Sequence, residues 1–127
     1  MASIPERWAD QARYDLDTAR AMFDSGRWLY VLFCCQQAVE KMIKSLIAAR
    51  TQEVPPRLHN LMRLAEHASL DIDPAMARTL RMLTAYYVES RYPDELDSIS
   101  RSASKELAAE VLASTAKVLQ WLNSQRQ

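Results

Sequence analysis

The sequence predicts an all-α protein, an up-and-down four-helix bundle with one short extra helix. The chain of 127 residues contains a single glycine, whereas β-hairpins and phosphate-binding loops depend on glycine at positive φ. Its length suits a single domain, residues 1–127, and 49% of its residues are apolar, which is enough for one hydrophobic core. Apolar residues also recur at helical spacing over several long stretches. Together these features favour packed helices over a sheet.

Helix 1 is expected to run from Pro5 to about Asp24, because proline suits the first helical position. Gly26 follows almost directly and is expected to end this helix in the left-handed conformation. So short a turn predicts that helices 1 and 2 pack as antiparallel neighbours.

Helix 2, from about Arg27 to Arg50, is expected to be the central helix. Its first turns, 28–35, are apolar on every side and are therefore expected to be buried on every side, by the bundle or by a second chain. Further along, the apolar residues narrow to one face, which places Lys44 and Ser45 on the polar side. Glu40 and Lys44 are spaced as a favourable i, i+4 ion pair.

The second half of the chain predicts three further helices. A short helix 3 is expected at about Leu58 to Ser69, after a Pro-Pro pair that breaks the pattern. Helix 4 is expected to begin at Pro74, with Asp73 before it as the N-cap. It is expected to continue to Ser90 or Arg91, because Pro93 disfavours helical geometry in the residue before it. The acidic segment that follows is expected to be a connection, with helix 5 running from after Ser102 to about Asn123.

The charges are balanced, with sixteen basic and sixteen acidic side chains. A nonspecific polyanion binder would show a basic excess, so no DNA specificity is evident, although a small basic patch remains possible. The chain shows neither a signal sequence at its N-terminus nor an apolar run long enough to span a membrane. We therefore expect a cytoplasmic protein without membrane association.

The cysteines and histidines do not predict a metal site. Cys34 and Cys35 are adjacent in helix 2, where a bond between them is geometrically poor, so we expect reduced core thiols. His59 and His67 stand eight residues apart, which is not a metal-ligand spacing. We expect neither a metal nor a cofactor.

Aromatic and charged residues concentrate in YYVESRYPDEL, residues 86–96. An arginine beside tyrosines can hold a phosphate while a base stacks on a ring, so Tyr87, Arg91 and Tyr92 are candidate ligand-binding residues. Arg91 can equally serve the dipole at the end of a helix. Asp94 can orient Arg91, accept a proton or cap the turn after the proline. His59 is a further ligand-binding candidate, or it packs against the start of helix 3.

In this combination the chain resembles the HEPN domain family. The resemblance is carried by Trp8 to Ala12, by QQAVEKMIKSLI at 36–47, by His59 to Leu61 and by SRYPD at 90–94. It implies a HEPN helical bundle that is commonly a dimer. Many stand-alone prokaryotic members are encoded beside a minimal nucleotidyltransferase as a toxin and antitoxin, which makes such an enzyme a possible partner.

The resemblance also implies candidate catalytic residues. In active RNases of the superfamily, an arginine is followed by a histidine with four to six residues between them, and Arg91 matches that arginine, with Asp94 inside the motif. Positions 96, 97 and 98 are Leu, Asp and Ser instead of His. Histidine is the side chain suited to taking and giving a proton near neutral pH. Binding is therefore favoured over cleavage.

Three hypotheses for function follow. The first is a nucleotide- or RNA-binding HEPN protein that is paired with a nucleotidyltransferase, for which the Tyr92 hydroxyl is an acceptor. The second is a metal-independent RNase in which Asp97 or His59 replaces the missing histidine. The third is a structural dimerisation or adaptor module.

Overall fold

A computed structural model describes residues 2–126 and confirms the all-α fold. The α1–α2 hairpin, the Asp73–Pro74 start of helix 4 and the final long helix are confirmed, whereas helix 4 is shorter than predicted and is followed by a further helix. Within the described residues the helices are α1 (Ile4–Asp24), α2 (Trp28–Thr51), α3 (Leu61–His67), α4 (Pro74–Thr84), α5 (Pro93–Ser102) and α6 (Lys105–Ser124).

The first two helices form the predicted hairpin. Ser3 and Glu6 cap the start of α1 reciprocally, each side chain accepting from the other's backbone N–H. Gly26 follows its end with a φ of 74°, the left-handed conformation expected there. The face of α1 turned to the core carries mostly alanine, which lets α1 and α2 approach closely; its buried residues are Ala9, Ala12, Leu16 and Ala19.

The chain runs up and down as predicted, and its third leg consists of two successive helices, α4 and α5. Arg50, near the end of α2, donates to the Gln125 carbonyl just after α6, so α2 and α6 run in the same direction. Ser100 and Ala103, at the end of α5, lie against the start of α2. The short α3 packs between α2 and α4.

The single chain buries only part of the first turns of α2. Val31, Leu32 and Cys35 are fully buried there, whereas Tyr30 is 52% exposed, so the bundle alone does not provide the burial on every side that was predicted. Every residue from 42 to 48 is buried, including Lys44 and Ser45, which were wrongly expected on a polar face. The reason is that α1, α3 and α6 all pack around this half; the Ser45 hydroxyl, for example, donates to the Pro5 carbonyl at 2.7 Å.

Helix 4 ends at Thr84 instead of Ser90 or Arg91. The Arg91 side chain donates to the carbonyls of Ala85 and Tyr87, which supplies the hydrogen bonds that a longer helix would have made. The segment expected to be a connection is α5. Pro93 occupies its first turn, as proline prefers to do, and acidic residues follow it there.

Helix α3 is also shorter than predicted, since it begins at Leu61 and ends at His67. Asn60 caps its start by accepting from the Arg63 N–H at 3.1 Å. This leaves Leu58 and His59 in the loop before the helix. Among the helices of residues 2–126, none is long and apolar enough to cross a bilayer.

Candidate functional site

A polar network lies inside the bundle around the carboxylate of Glu40. Gln36 Nε2 donates to Glu40 Oε1 at 2.9 Å, and Lys44 Nζ lies 3.1 Å from Oε2. Gln36 and Lys44 stand one turn before and one turn after Glu40 on α2, so a single helix face assembles all three. The Lys44 ammonium also lies 5.6 Å from the centre of the Trp8 ring, within cation–π range.

The loop before α3 joins His59 to this network. Its Nδ1 lies 3.0 Å from Glu40 Oε1, and its backbone carbonyl accepts from Gln36 Nε2 at 3.3 Å. The Glu40 carboxylate accepts from the His59 ring, and the His59 carbonyl accepts from the Gln36 side chain. These two hydrogen bonds fix the loop to α2. The His59 side chain is 44% exposed, so the network reaches from the core to the surface there.

Tyr87 lies flat against His59. The ring centres are 3.9 Å apart with an angle of 12° between the planes. The Tyr87 hydroxyl donates to Glu89 Oε2 at 3.1 Å. Burial, followed by this hydrogen bond and the negative charges of Glu89 and Glu40, raises the pKa of Tyr87 to about 12. Tyr87 therefore keeps its proton at neutral pH and serves as a stacking surface and hydrogen-bond donor.

Arg91 holds the turn that carries Tyr87. Its Nε donates to the Tyr87 carbonyl at 2.8 Å and its Nη2 to the Ala85 carbonyl at 3.2 Å. Its Nη1 pairs with Glu95 Oε2 at 2.9 Å, and this hydrogen bond lowers the pKa of the Glu95 carboxyl. Arg91 is 32% exposed. The structure thus brings His59 and Arg91 to the same residue, Tyr87, one through its ring and the other through its backbone.

The other predicted residues lie on the solvent side of α5. Tyr92 precedes this helix as its N-cap and is 77% exposed. Asp94 is exposed in the first turn, where a carboxylate is favoured by the helix dipole, while Arg91 pairs with Glu95. Asp97 is exposed on the same helix. In residues 2–126 no three His, Cys, Asp or Glu side chains gather as a metal site would require.

A groove of about 570 Å³ runs beside this site, between the first half of α2 and the chain from Val88 to Leu96. Phe33 lines it and lies 6.0 Å from Tyr87, ring centre to ring centre. Gln37 lines it too and donates to Gln36 Oε1 at 2.7 Å, which links the groove to the buried network.

Sequence reasoning did not place Glu40, Gln36 or Lys44 in the site. The i, i+4 spacing predicted the Glu40–Lys44 pair correctly, but as a surface pair. The available signal was the presence of two glutamines in an otherwise apolar helix segment. Buried polar groups need partners, so such glutamines indicate a buried network.

The arrangement of the six helices is that of a HEPN-type helical bundle, and the comparison with known sequences agrees. The HEPN domain family matches residues 5–125. The chain belongs to the HEPN domain family, as the resemblance predicted.

Two solved structures are similar along their whole length. TT1696 from Thermus thermophilus is 26% identical, with a TM-score of 0.80 over 97% of this chain and 98% of that one. ST0689, described as an archaeal HEPN homologue, is 27% identical, with a TM-score of 0.78 over 99% and 100% of the two chains. No functionally curated protein gives a significant match.

Proposed function

We propose that the protein binds single-stranded RNA or a nucleotide at the surface formed by His59, Tyr87, Arg91 and Tyr92. Membership of the HEPN family supports a nucleotide- or RNA-related role. The observation that carries the proposal is the Arg91–Glu95 pair beside stacked aromatic rings. It offers a phosphate and a base the two kinds of contact that single-stranded nucleic acids use.

Arg91 can accept a phosphate without losing its hold on the turn. Two of its three bonding nitrogens are engaged by backbone carbonyls, and the third pairs with Glu95. The Glu95 side chain is 46% exposed, so water competes for it and the pair is weak. A phosphate oxygen can replace this carboxylate on Nη1. Glu95 then acts as a competitor for the ligand.

This competition predicts that removing the charge of Arg91 and removing the charge of Glu95 change the RNA affinity in opposite directions. Binding of a short fluorescein-labelled single-stranded RNA is measured by anisotropy at about 0.15 M salt, where the Debye length is about 8 Å. Arg91→Gln is expected to weaken binding roughly tenfold or more, because a charge-assisted hydrogen bond is lost. Glu95→Gln is expected to tighten binding, because the competing charge is gone.

Matched controls remove the same charges elsewhere. Arg78→Gln on α4 and Glu110→Gln on α6 change exposed residues and are expected to leave the affinity within about twofold, since charges beyond the Debye length are screened. Equal effects of Arg91→Gln and Arg78→Gln, or weaker binding by Glu95→Gln, would show that Arg91 does not contact the phosphate. A chain that does not bind RNA or a nucleotide would instead favour the structural dimerisation or adaptor module.

The exposure of Tyr92 supports a second candidate role, as the acceptor for a partner nucleotidyltransferase in a toxin–antitoxin pair. In that reaction the tyrosine oxygen bonds to the α-phosphorus of a nucleoside triphosphate, pyrophosphate leaves and the hydroxyl proton passes to solvent. Incubation with such an enzyme and a labelled triphosphate should label the wild type and Tyr14→Phe, a control at another exposed tyrosine, but not Tyr92→Phe. Labelling of Tyr92→Phe would remove this role.

A homodimer is the proposed assembly. The first turns of α2 are apolar on every side, yet Tyr30 is half exposed in the single chain, which leaves an apolar face for a second copy to cover. Sedimentation of the wild type should show a dimer that Tyr30→Glu dissociates. Val54→Glu, at an exposed position beyond the far end of α2, should remain dimeric. A wild-type monomer at micromolar concentration would contradict the assembly.

A further inference from the structure

We infer that His59, held by Glu40, is the catalytic residue that takes the proton from a ribose 2′-hydroxyl in RNA cleavage at this site. The inference rests on the RNA binding proposed above and adds a reaction to it. It assigns the proton transfer to a histidine that lies about thirty positions before Arg91 in the sequence, instead of to a residue a few positions after Arg91.

The contact with Glu40 determines which nitrogen of His59 is available. A carboxylate oxygen can only accept, so the neutral imidazole donates from Nδ1 to Glu40 Oε1, and its lone pair is on Nε2. Among residues 2–126, Nε2 has no hydrogen-bond partner. The side chain is 44% exposed, which gives this nitrogen access to a ligand.

Two surfaces orient the imidazole. Glu40 binds it along one edge, and the parallel Tyr87 ring covers one face at 3.9 Å. Glu40 is itself fixed, because Gln36 and Lys44 engage its two oxygens from the same helix. A carboxylate that positions a histidine through Nδ1–H and stabilises its protonated form is the arrangement that general-base catalysis uses. Glu40 is thus a positioning residue.

The reaction is a transesterification within the RNA. The 2′-oxygen forms a bond to the adjacent phosphorus while the bond from phosphorus to the 5′-oxygen breaks. Nε2 takes the 2′-hydroxyl proton, and the leaving 5′-oxygen receives a proton from solvent. The products are a 2′,3′-cyclic phosphate and a 5′-hydroxyl. Arg91 hydrogen-bonds to the backbone of Tyr87, whose ring stacks on His59, and the inference assigns the binding of the same phosphate to Arg91.

The geometry favours His59 over Asp97 for this role. Asp97 is a carboxylate on α5 that is exposed to water. His59 belongs to a hydrogen-bond network that extends through Glu40 to Gln36 and Lys44 in the core. Only an oriented group in a partly desolvated site gives a large catalytic effect.

The key variant is His59→Asn. The asparagine amide nitrogen occupies the same position along the side chain as Nδ1, so it can still donate to Glu40 and hold the loop, but it lacks the Nε2 base. Cleavage of an RNA oligonucleotide should fall roughly 100-fold or more, the usual range for loss of a general base. RNA affinity, measured by anisotropy, should fall by a smaller factor, because Tyr87, Arg91 and Tyr92 of the binding surface are unchanged. His67→Asn, at the exposed histidine of α3, is the matched control and should cleave like the wild type.

Two further readouts separate catalysis from a structural role. The wild-type products should end in a 2′,3′-cyclic phosphate. An oligonucleotide of the same base sequence with 2′-deoxyribose at every position should bind without being cut, because it has no 2′-hydroxyl. The wild-type rate should fall on acidification, because a protonated imidazole cannot accept a proton, and the residual rate of His59→Asn should lack that fall. The groups that face His59 in this profile are Glu40 and Tyr87, with Lys44 and Glu89 behind them.

The outcomes are distinguishable. Wild-type protein that binds RNA without cutting it, or His59→Asn that cuts at the wild-type rate, overturns the catalytic role and leaves the binding proposal intact. Activity lost in Asp97→Asn and retained in His59→Asn assigns the base to Asp97 and overturns it as well. Absence of RNA binding overturns both proposals.

Discussion

Lys44 Nζ lies 3.1 Å from Glu40 Oε2, and the two side chains are only 9% and 5% exposed. On a helix surface the same i, i+4 pair would contribute a few tenths of a kcal/mol. Here the bundle has removed both charges from water, and each needs the other together with the further partners Gln36, His59 and the Trp8 ring. Breaking such a pair is costly because it leaves an uncompensated buried charge.

Lys44→Met is therefore expected to lower the free energy of unfolding by about 3 kcal/mol, since it leaves the Glu40 carboxylate buried without its cation. Urea denaturation followed by circular dichroism measures this change. Lys117→Met, at an exposed position on α6, is the control and should change stability by less than about 0.5 kcal/mol. Similar values for the two variants would mean that Glu40 does not depend on Lys44.

Thr84→Val is expected to destabilise the junction of α3 and α4 by about 1–2 kcal/mol, because the Thr84 hydroxyl accepts from the Leu61 N–H at 3.1 Å and valine leaves that buried donor unpaired. Thermal unfolding gives the measurement. Thr79→Val on the same helix removes a hydroxyl that donates only to the Ala75 carbonyl, so its effect should be smaller. An equal loss in both would contradict the capping role of Thr84.

Gly26→Ala is expected to cost about 1 kcal/mol, which is the penalty for an L-residue in the left-handed conformation. The backbone there has a φ of 74°, and an added Cβ would meet only the Trp28 ring, at an ordinary distance of 3.8 Å. The loss therefore reflects backbone strain instead of a clash. Gly26→Asn should lose less in the same unfolding measurement, because asparagine tolerates this region; a greater loss for asparagine would point to crowding.

Both cysteines are expected to react slowly with Ellman's reagent in the native protein. Burial is the main cause that raises the pKa of Cys34 and of Cys35 from 9.0 to about 11, and the nearby Asp15 adds to it for Cys34. At pH 8 this lowers the thiolate fraction roughly 100-fold, and the reaction requires the thiolate. Both should react quickly in guanidinium chloride. Fast native labelling of either residue, assigned with Cys34→Ser and Cys35→Ser, would contradict the burial.

The same pKa values predict that the protein loses stability at alkaline pH. The folded thiols hold their protons more tightly than the unfolded ones, so their contribution to stability is present below about pH 9. It is lost as the pH rises from about 9 to 11. The Cys34→Ser and Cys35→Ser variants should therefore show a shallower decline of stability across that interval than the wild type.

Local signals in the sequence were enough to predict most helix boundaries. Asp73 accepts from the Met76 N–H at 2.8 Å, as its place before a proline indicated. The failure lies between Thr84 and Ser102. Pro93 was interpreted as the end of one helix, whereas it begins another, and proline is compatible with both roles. The deciding contact is that of the Arg91 guanidinium with the Ala85 and Tyr87 carbonyls.

The sequence by itself determined the fold class, the α1–α2 hairpin and the HEPN family, because helical periodicity, caps and motifs are local properties. Only the tertiary structure decided that the second half of α2 is the more completely buried half and that His59 contacts both Glu40 and Tyr87. These residues lie far apart in the chain, and no local sequence pattern predicts which loop packs against which helix face. Helices α1, α3 and α6 pack around α2 and bury the Glu40–Lys44 ion pair, which on an isolated helix would lie at the surface. This buried pair supports the candidate site from the core.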